Sequence, residues 1–254
     1  MIKNVNRIGD VVITDVEGII LNVTPFGETS KIINVYTKQY GVIGIMCKGA
    51  MGIKSKLRSV TQKLTYGIFN IYYKKDKLST LVSVDIINPL KKIKEDILLI
   101  SYASYLCDLV GQVLKQTSDK IIYDDFINVL LKIEEGLNPI VMTNILEVKL
   151  LDCLGVGLNL TSCIMCDNKK EIVTLSSEKG GLICKNCYTQ ERVVPISIVK
   201  TLNMYYLVDI KSVSKLAIKE DVINEINKFL TSYYDDYTGL YLKSKDFLKT
   251  IQQL

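Results

Sequence analysis

From Val11 to Ile87 the chain alternates apolar and polar residues in short runs separated by turns. A period of two over four to ten residues, rich in Val, Ile and Tyr, predicts half-buried strands. They fall at Val11–Val23, Ile32–Thr37, Val42–Cys47, Leu64–Tyr73 and Leu78–Ile87. The breaks are TPFGETSK (Thr24–Lys31), KQYG, a basic stretch after Cys47 and the charged turn KKDK. Five short strands in under ninety residues predict a small closed barrel, most simply of OB type.

Asn88-Pro89 ends that pattern and the period becomes helical. Ile97–Leu114 is apolar nearly all round, which predicts a central, buried helix. After the polar QTSDK come a helix over Ile122–Glu135 and one capped by Asn138 with Pro139 in its first turn, stopping at Gly155. Ile196–Val208, Asp221–Tyr234 and Leu240–Ile251 complete the set. The expected fold class is α+β multidomain: an OB-fold barrel over residues 1–88, then a helical domain over 89–254 with an inserted four-cysteine motif at 160–190.

Charge sharpens this division. The chain of 254 residues carries a formal +5, but Met1–Leu90 holds 12 Lys+Arg against 6 Asp+Glu, and the rest holds 20 against 21. Between Lys31 and Lys77 ten bases face one acid, Asp76. Such a bias predicts a polyanionic partner for the barrel. The stretch GVIGIMCKGAMGIKSKLR (Gly41–Arg58) is the expected contact surface, with Lys31, Lys38, Lys48, Lys54, Lys56 and Arg58 as candidate nucleic-acid contacts. Tyr36, Tyr40, Tyr66, Phe69, Tyr72 and Tyr73 are interleaved with the bases, and an exposed tyrosine can stack on an unpaired base.

Cys163-x2-Cys166, seventeen residues, then Cys184-x2-Cys187 is a four-thiolate pattern with Gly180 and Gly181 in the turn between the pairs. Four sulfurs complete a tetrahedral shell and leave no position for water or substrate, so one structural Zn2+ is expected. Cys47, Cys107 and Cys153 lie in apolar contexts and read as core residues. The chain has no histidine, which excludes His-based general bases, His-paired nucleophiles and His-ligated metals. Asp124-Asp125, Glu134-Glu135 and Asp235-Asp236 are adjacent in sequence and diverge by about 100° on a helix. With no Walker loop and no GxGxxG, catalysis is not expected. Early acids at Asp10, Asp15 and Glu17 argue against a signal peptide, and the apolar window Ile97–Cys107 is too short to span a bilayer. A cytoplasmic protein without membrane or small-molecule partners is expected.

Three stretches carry a resemblance. They are GIILNVTPFGETSKIINVYTKQYGVIGIMCKGA (Gly18–Ala50) followed by KSKL (Lys54–Leu57), the four-cysteine spacing, and GLYLKSKDFL (Gly239–Leu248). In this order they resemble the bacterial RecO family of recombination mediators, from about Val12 to the end of the sequence. The resemblance implies an OB domain binding single- and double-stranded DNA and a helical domain bearing zinc. It implies a nucleoid-associated role in recombinational repair: annealing complementary strands and, with RecR, loading RecA onto strands coated by single-strand-binding protein. It further implies that the acidic, Phe-ended tail of that coating protein docks on the helical domain. The residues before Val12 form an extension outside the resemblance. Met51-Gly52 lacks basics common in relatives, which shifts the expected weight onto Lys54, Lys56 and Arg58. Composition alone leaves open an RNA- or ribosome-binding protein of the same architecture, or a scaffold whose basic face recognises an acidic peptide tail.

Overall fold

The computed structural model describes residues 7–8, 11–116 and 122–252. Most of the extension before Val12 and most of the QTSDK segment lie outside those described residues. Contacts divide the chain into two compact units, one formed by Met1–Leu114 with Phe247–Leu254 and the other by Lys115–Asp246.

The first unit is organised on β2 (Val11–Phe26), a strand long enough to pair with two partners. Its first half runs antiparallel to β5 (Tyr66–Tyr73) from Val12↔Tyr73 to Ile19↔Tyr66. Its second half runs antiparallel to β3 (Ser30–Thr37) from Gly18↔Thr37 to Phe26↔Ser30, with an irregularity between Ile20 and Asn22. β3 continues to β4 (Gly41–Cys47), and β4 meets β6 (Ser79–Asn88) in parallel through Ile45↔Ser79 and Met46↔Thr80. β6 pairs with β5, which closes the barrel; a two-residue β1 (Arg7–Ile8) lies at the β2 edge. Counting from β2, the order is 1-2-3-5-4 returning to 1, with a short helix α1 (Leu57–Val60) between the third and fourth strands. This is the expected OB arrangement.

Gly18 and Gly67 face each other where β2 crosses from one partner to the other. A Cβ on Gly18 would lie 2.6 Å from Val35 Cγ1, and one on Gly67 would collide with the Asp85 carbonyl oxygen. Only glycine permits that close approach. Inside, Val16, Ile20, Ile33, Val35, Ile45, Phe69 and Ile71 are fully buried. Burial follows the alternation of YGIFNIYY: Phe69 and Ile71 point inward, and Tyr72 is exposed.

After α2 (Lys91–Glu95) comes α3 (Ile97–Gln116), long and apolar enough by composition to cross a membrane, with half of that window buried within the protein. Up to Leu114 it belongs to the barrel unit. Lys63 Nζ contacts Asp108 Oδ1 at 2.7 Å, and a Cβ on Gly111 would touch Leu21 at 3.8 Å. Gln252 Nε2 donates to the Tyr102 hydroxyl within the same unit. The expectation of a helix buried all round fails at its start, where Ile97 is 61% exposed.

In the second unit the most enclosed helix is α5 (Pro139–Cys153), buried from Val141 to Val148 without interruption. Asn138 caps it as expected, its side chain accepting from the amides of Ile140 and Val141. α4 (Ile122–Glu135), α6 (Ile196–Leu207) and α7 (Glu220–Tyr237) pack around α5, with a 3-10 turn at Ile210–Ser212. The buried Tyr234 donates its hydroxyl to the Glu147 carbonyl at 2.8 Å. α8 (Lys243–Ile251) follows. A small sheet of β7 (Asn159–Cys163), β8 (Ile172–Ser176) and β9 (Gly181–Cys184), in the order β7-β9-β8, interrupts the helices.

Candidate nucleic-acid interface and thiolate centre

Both ends of the β3–β4 ladder carry exposed cations. At one end the loop after β4 holds Lys48, Lys54, Lys56 and Arg58, all exposed. Ala50, fully buried, and Leu57, packed on the barrel core, pin this loop at both sides. The Met51 amide donates to the Thr29 carbonyl at 2.8 Å, and the Gly49 amide to Ser30 Oγ at 3.2 Å. Among the described residues, none of Lys48, Lys54, Lys56 or Arg58 forms an ion pair.

The other end carries Lys38 in the β3–β4 turn. Six residues of strand, roughly 20 Å, separate Lys31 from the Thr37 end of β3. Lys38 therefore does not join the Lys48–Arg58 group. It shares its end of the barrel with Lys74, Lys75 and Lys77, exposed in the β5–β6 turn. The Tyr40 and Tyr73 rings stack there, with centroids 4.4 Å apart. The sequence pattern marks that turn as charged without assigning it to the site; its signal is the three lysines of KKDK before the last barrel strand. Between the two ends runs the outer β3–β4 face, with Val42 exposed and Ile32, Asn34 and Met46 half-buried. In OB folds oligonucleotides commonly bind across the second and third strands, here β3 and β4, and at the loop between the fourth and fifth, here the β5–β6 turn.

Lys31 stands apart from the other candidates. It is 5% exposed, on the inward alternation shared by Ile33 and Val35. Burial pushes its ammonium below the usual lysine range, partly offset by the Cys47 sulfur and reinforced by the Arg58 charge. It lies beneath the basic loop. Lys63 is likewise engaged with Asp108. Of the aromatic residues, Tyr36 and Phe69 are fully buried, and Tyr66 is held by its hydroxyl donating to Glu17 at 2.9 Å. Tyr40 and Tyr72 retain exposed rings.

The four cysteines converge. Cys163 ends β7, Cys184 ends β9, and Cys166 and Cys187 sit in the turns that follow. Asp167 donates its amide to the Cys163 carbonyl at 2.8 Å, and Cys187 donates to the Cys184 carbonyl at 3.1 Å. Those turns fold each pair back on itself, and the β8–β9 hairpin brings the pairs together. All four Sγ atoms lie within 4.8 Å of one another. The Cys166 and Cys184 sulfurs are 3.6 Å apart. A tetrahedral thiolate shell with metal–sulfur bonds of roughly 2.3 Å needs sulfurs roughly 3.8 Å apart, so the cluster fits a metal ion. Electrostatics agree. Desolvation opposes ionisation of Cys163, but backbone amides of Cys184, Met165 and Cys166 outweigh it and hold the thiol at about 6. Cys187 is pushed up to about 12, first by its hydrogen bond with Cys166 and then by burial. A first thiolate forms readily, and a last one needs a cation.

Cys47 and Cys107 are buried as expected, with desolvation raising each to about 12, whereas Cys153 is half-buried. A cavity of about 300 Å³ in the second unit is lined by Leu137, Val141, Met142, Leu216 and Ile223, with exposed Lys215 at its edge.

These features define an OB-barrel protein with a helical region and a cysteine cluster able to hold a metal. Residues 12–90 match the family described as Recombination protein O N terminal, and residues 94–246 match Recombination protein O C terminal. The DNA repair protein RecO of Bacillus subtilis (strain 168) is 31% identical over 246 residues, covering 95% of this chain and 96% of its own. That of Halalkalibacterium halodurans is 30% identical over 242 residues, covering 94% and 95%. RecO of Listeria innocua is 31% identical over 241 residues, covering 93% and 94%. The chain belongs to the RecO family, and its role lies in DNA repair and recombination.

Proposed function

We propose that this protein is a non-catalytic recombination mediator that grips single- and double-stranded DNA without sequence preference and anneals complementary strands. The observation carrying this reading is the set of exposed cations on both loop ends of an OB barrel, of which Lys48, Lys54, Lys56 and Arg58 form no ion pair among the described residues. Lys48, Lys54, Lys56 and Arg58 neutralise phosphates at one end, and Lys38 with the Lys74–Lys77 turn does so at the other. Lys31 adds positive potential from below. A cationic surface that holds two strands screens their repulsion and raises their local concentration, so annealing follows from binding. Residues 1–88 serve DNA, and residues 89–254 brace the protein and carry its partner contacts. The thiolate cluster holds one structural Zn2+, for which four sulfurs and no open position are suited.

In this reading the protein acts with RecR to load RecA on strands coated by single-strand-binding protein, in the bacterial cytoplasm at the nucleoid. The cavity of the second unit, lined by Leu137, Val141, Met142, Leu216 and Ile223 together with Asn138, Ser214 and Lys215, is where an acidic tail ending in phenylalanine would dock. The test is annealing of complementary oligonucleotides with and without that coating protein. Faster annealing of both naked and coated strands is expected. Failure on naked strands, or tighter binding to matched RNA than to DNA, would overturn the proposal.

A further inference from the structure

Ile53 is 90% exposed, more than any other large hydrophobic side chain among the described residues, and Met51 beside it is 41% exposed. Isolated surface hydrophobics are ordinary. This pair differs in where it is held. The loop is fixed on one side by buried Ala50 and on the other by Leu57. Gly49 adopts a left-handed φ of +66°, and its carbonyl accepts the Gly52 amide at 3.2 Å. The Gly52 carbonyl in turn accepts the Ser55 amide at 3.0 Å. A tight double turn thus presents Ile53 at the apex. Lys48, Lys54 and Lys56 flank it, all exposed and free of acidic partners, with Glu28 the nearby acid on the adjoining turn.

We propose that Ile53, seconded by Met51, is an apolar wedge that enters between nucleobases while the flanking lysines hold the sugar-phosphate chain. The inference rests on the DNA-binding reading above and deepens it. The charges say what the apex meets: a polyanion whose interior is apolar and planar. Apolar side chains of this size part adjacent bases where cations fix the backbone. The wedge is cheapest where bases are already unpaired, so it favours single strands and duplex ends. It leaves bases unstacked and accessible, which is the state a complementary strand must meet.

The experiment uses the full chain and a single-stranded oligonucleotide with one internal 2-aminopurine, whose fluorescence rises on unstacking. The wild type is expected to raise it on saturation. Ile53→Ala is expected to abolish the rise and weaken binding about tenfold, the value of burying one such side chain. The slope of log affinity against log salt stays unchanged, because no phosphate contact is lost. At a site this exposed the substitution leaves the fold intact. Because the chain contains no tryptophan, Ile53→Trp adds a sole indole, expected to be quenched by an unlabelled oligonucleotide. Oligonucleotide bound with no 2-aminopurine rise sinks the wedge while DNA binding stands. A blue-shifted indole on phosphatidylglycerol vesicles with no response to DNA makes the loop a membrane anchor and sinks it also. If the wild type binds no oligonucleotide, both this inference and the underlying reading fall together.

Discussion

Between Cys47 and Leu57 the chain turns its charged side chains away from a core that grips it at Ala50 and Leu57. Between Cys163 and Cys187 it turns four thiols toward a single point. Both segments are short hairpin-like excursions with glycines at left-handed turns, Gly49 in one and Gly180 in the other. The first is a fixed platform whose ligand is outside. The second can be completed by a cation inside, because four sulfurs that must ionise together repel one another without one. Removing the partner should leave the first folded and dismantle the second.

The largest effect is therefore expected from the metal. Cys184→Ser, or exhaustive chelation, should take metal content from one Zn per chain to none. It should also lower the thermal midpoint of the helical unit by well over ten degrees, given the roughly 10 kcal/mol or more that structural zinc supplies. DNA affinity should change less than twofold. An equal collapse of DNA binding would break the comparison. Acid acts in the same direction. Cys163, held at about 6 against an ordinary 9, stabilises the folded ribbon fully above pH 9 and loses that contribution as pH falls towards 6. Cys187, at about 12, must also shed its proton to ligate. Metal retention against a fixed chelator should weaken steadily from pH 8 to pH 5.

Next in size is charge reversal on the platform. Lys54→Glu, Lys56→Glu and Arg58→Glu together should cost about a hundredfold in affinity near 0.15 M salt, equally for all sequences. The log–log salt slope should flatten by about two to three. Circular dichroism should be unchanged, since none of these side chains is buried. The smallest effect is expected at the far end, where Lys74→Ala, Lys75→Ala and Lys77→Ala should cost about tenfold. No effect there would confine the contact to one end of the barrel.

The same contrast explains what the sequence disclosed. The thiolate centre was legible to the residue, because two Cys-x2-Cys pairs separated by seventeen residues carry the spacing of a four-thiolate site, and the four sulfurs do converge. Strand positions were legible too, through alternation in INVYT and YGIFNIYY. The direction of single charges was harder. Lys31 carried a signal, since it shares the register of Ile33 and Val35, but a lysine in a basic run reads as exposed. Lys63 carried none, because its partner Asp108 lies 45 residues away. The ranking of helices failed for a related reason. α3 is the greasier in composition, yet α5, with Thr143, Asn144 and Glu147 among its residues, is the more enclosed. Enclosure depends on how many neighbours surround a helix, which no local pattern records.

The Gln252–Tyr102 hydrogen bond has a consequence for biosynthesis. The barrel strands emerge first from the ribosome, but the unit that contains them also includes Phe247–Leu254, which follows the whole of Lys115–Asp246. A nascent chain can close its β-barrel early, yet it must hold α3 without its final cover until translation has passed the four-cysteine ribbon and every helix of the other unit.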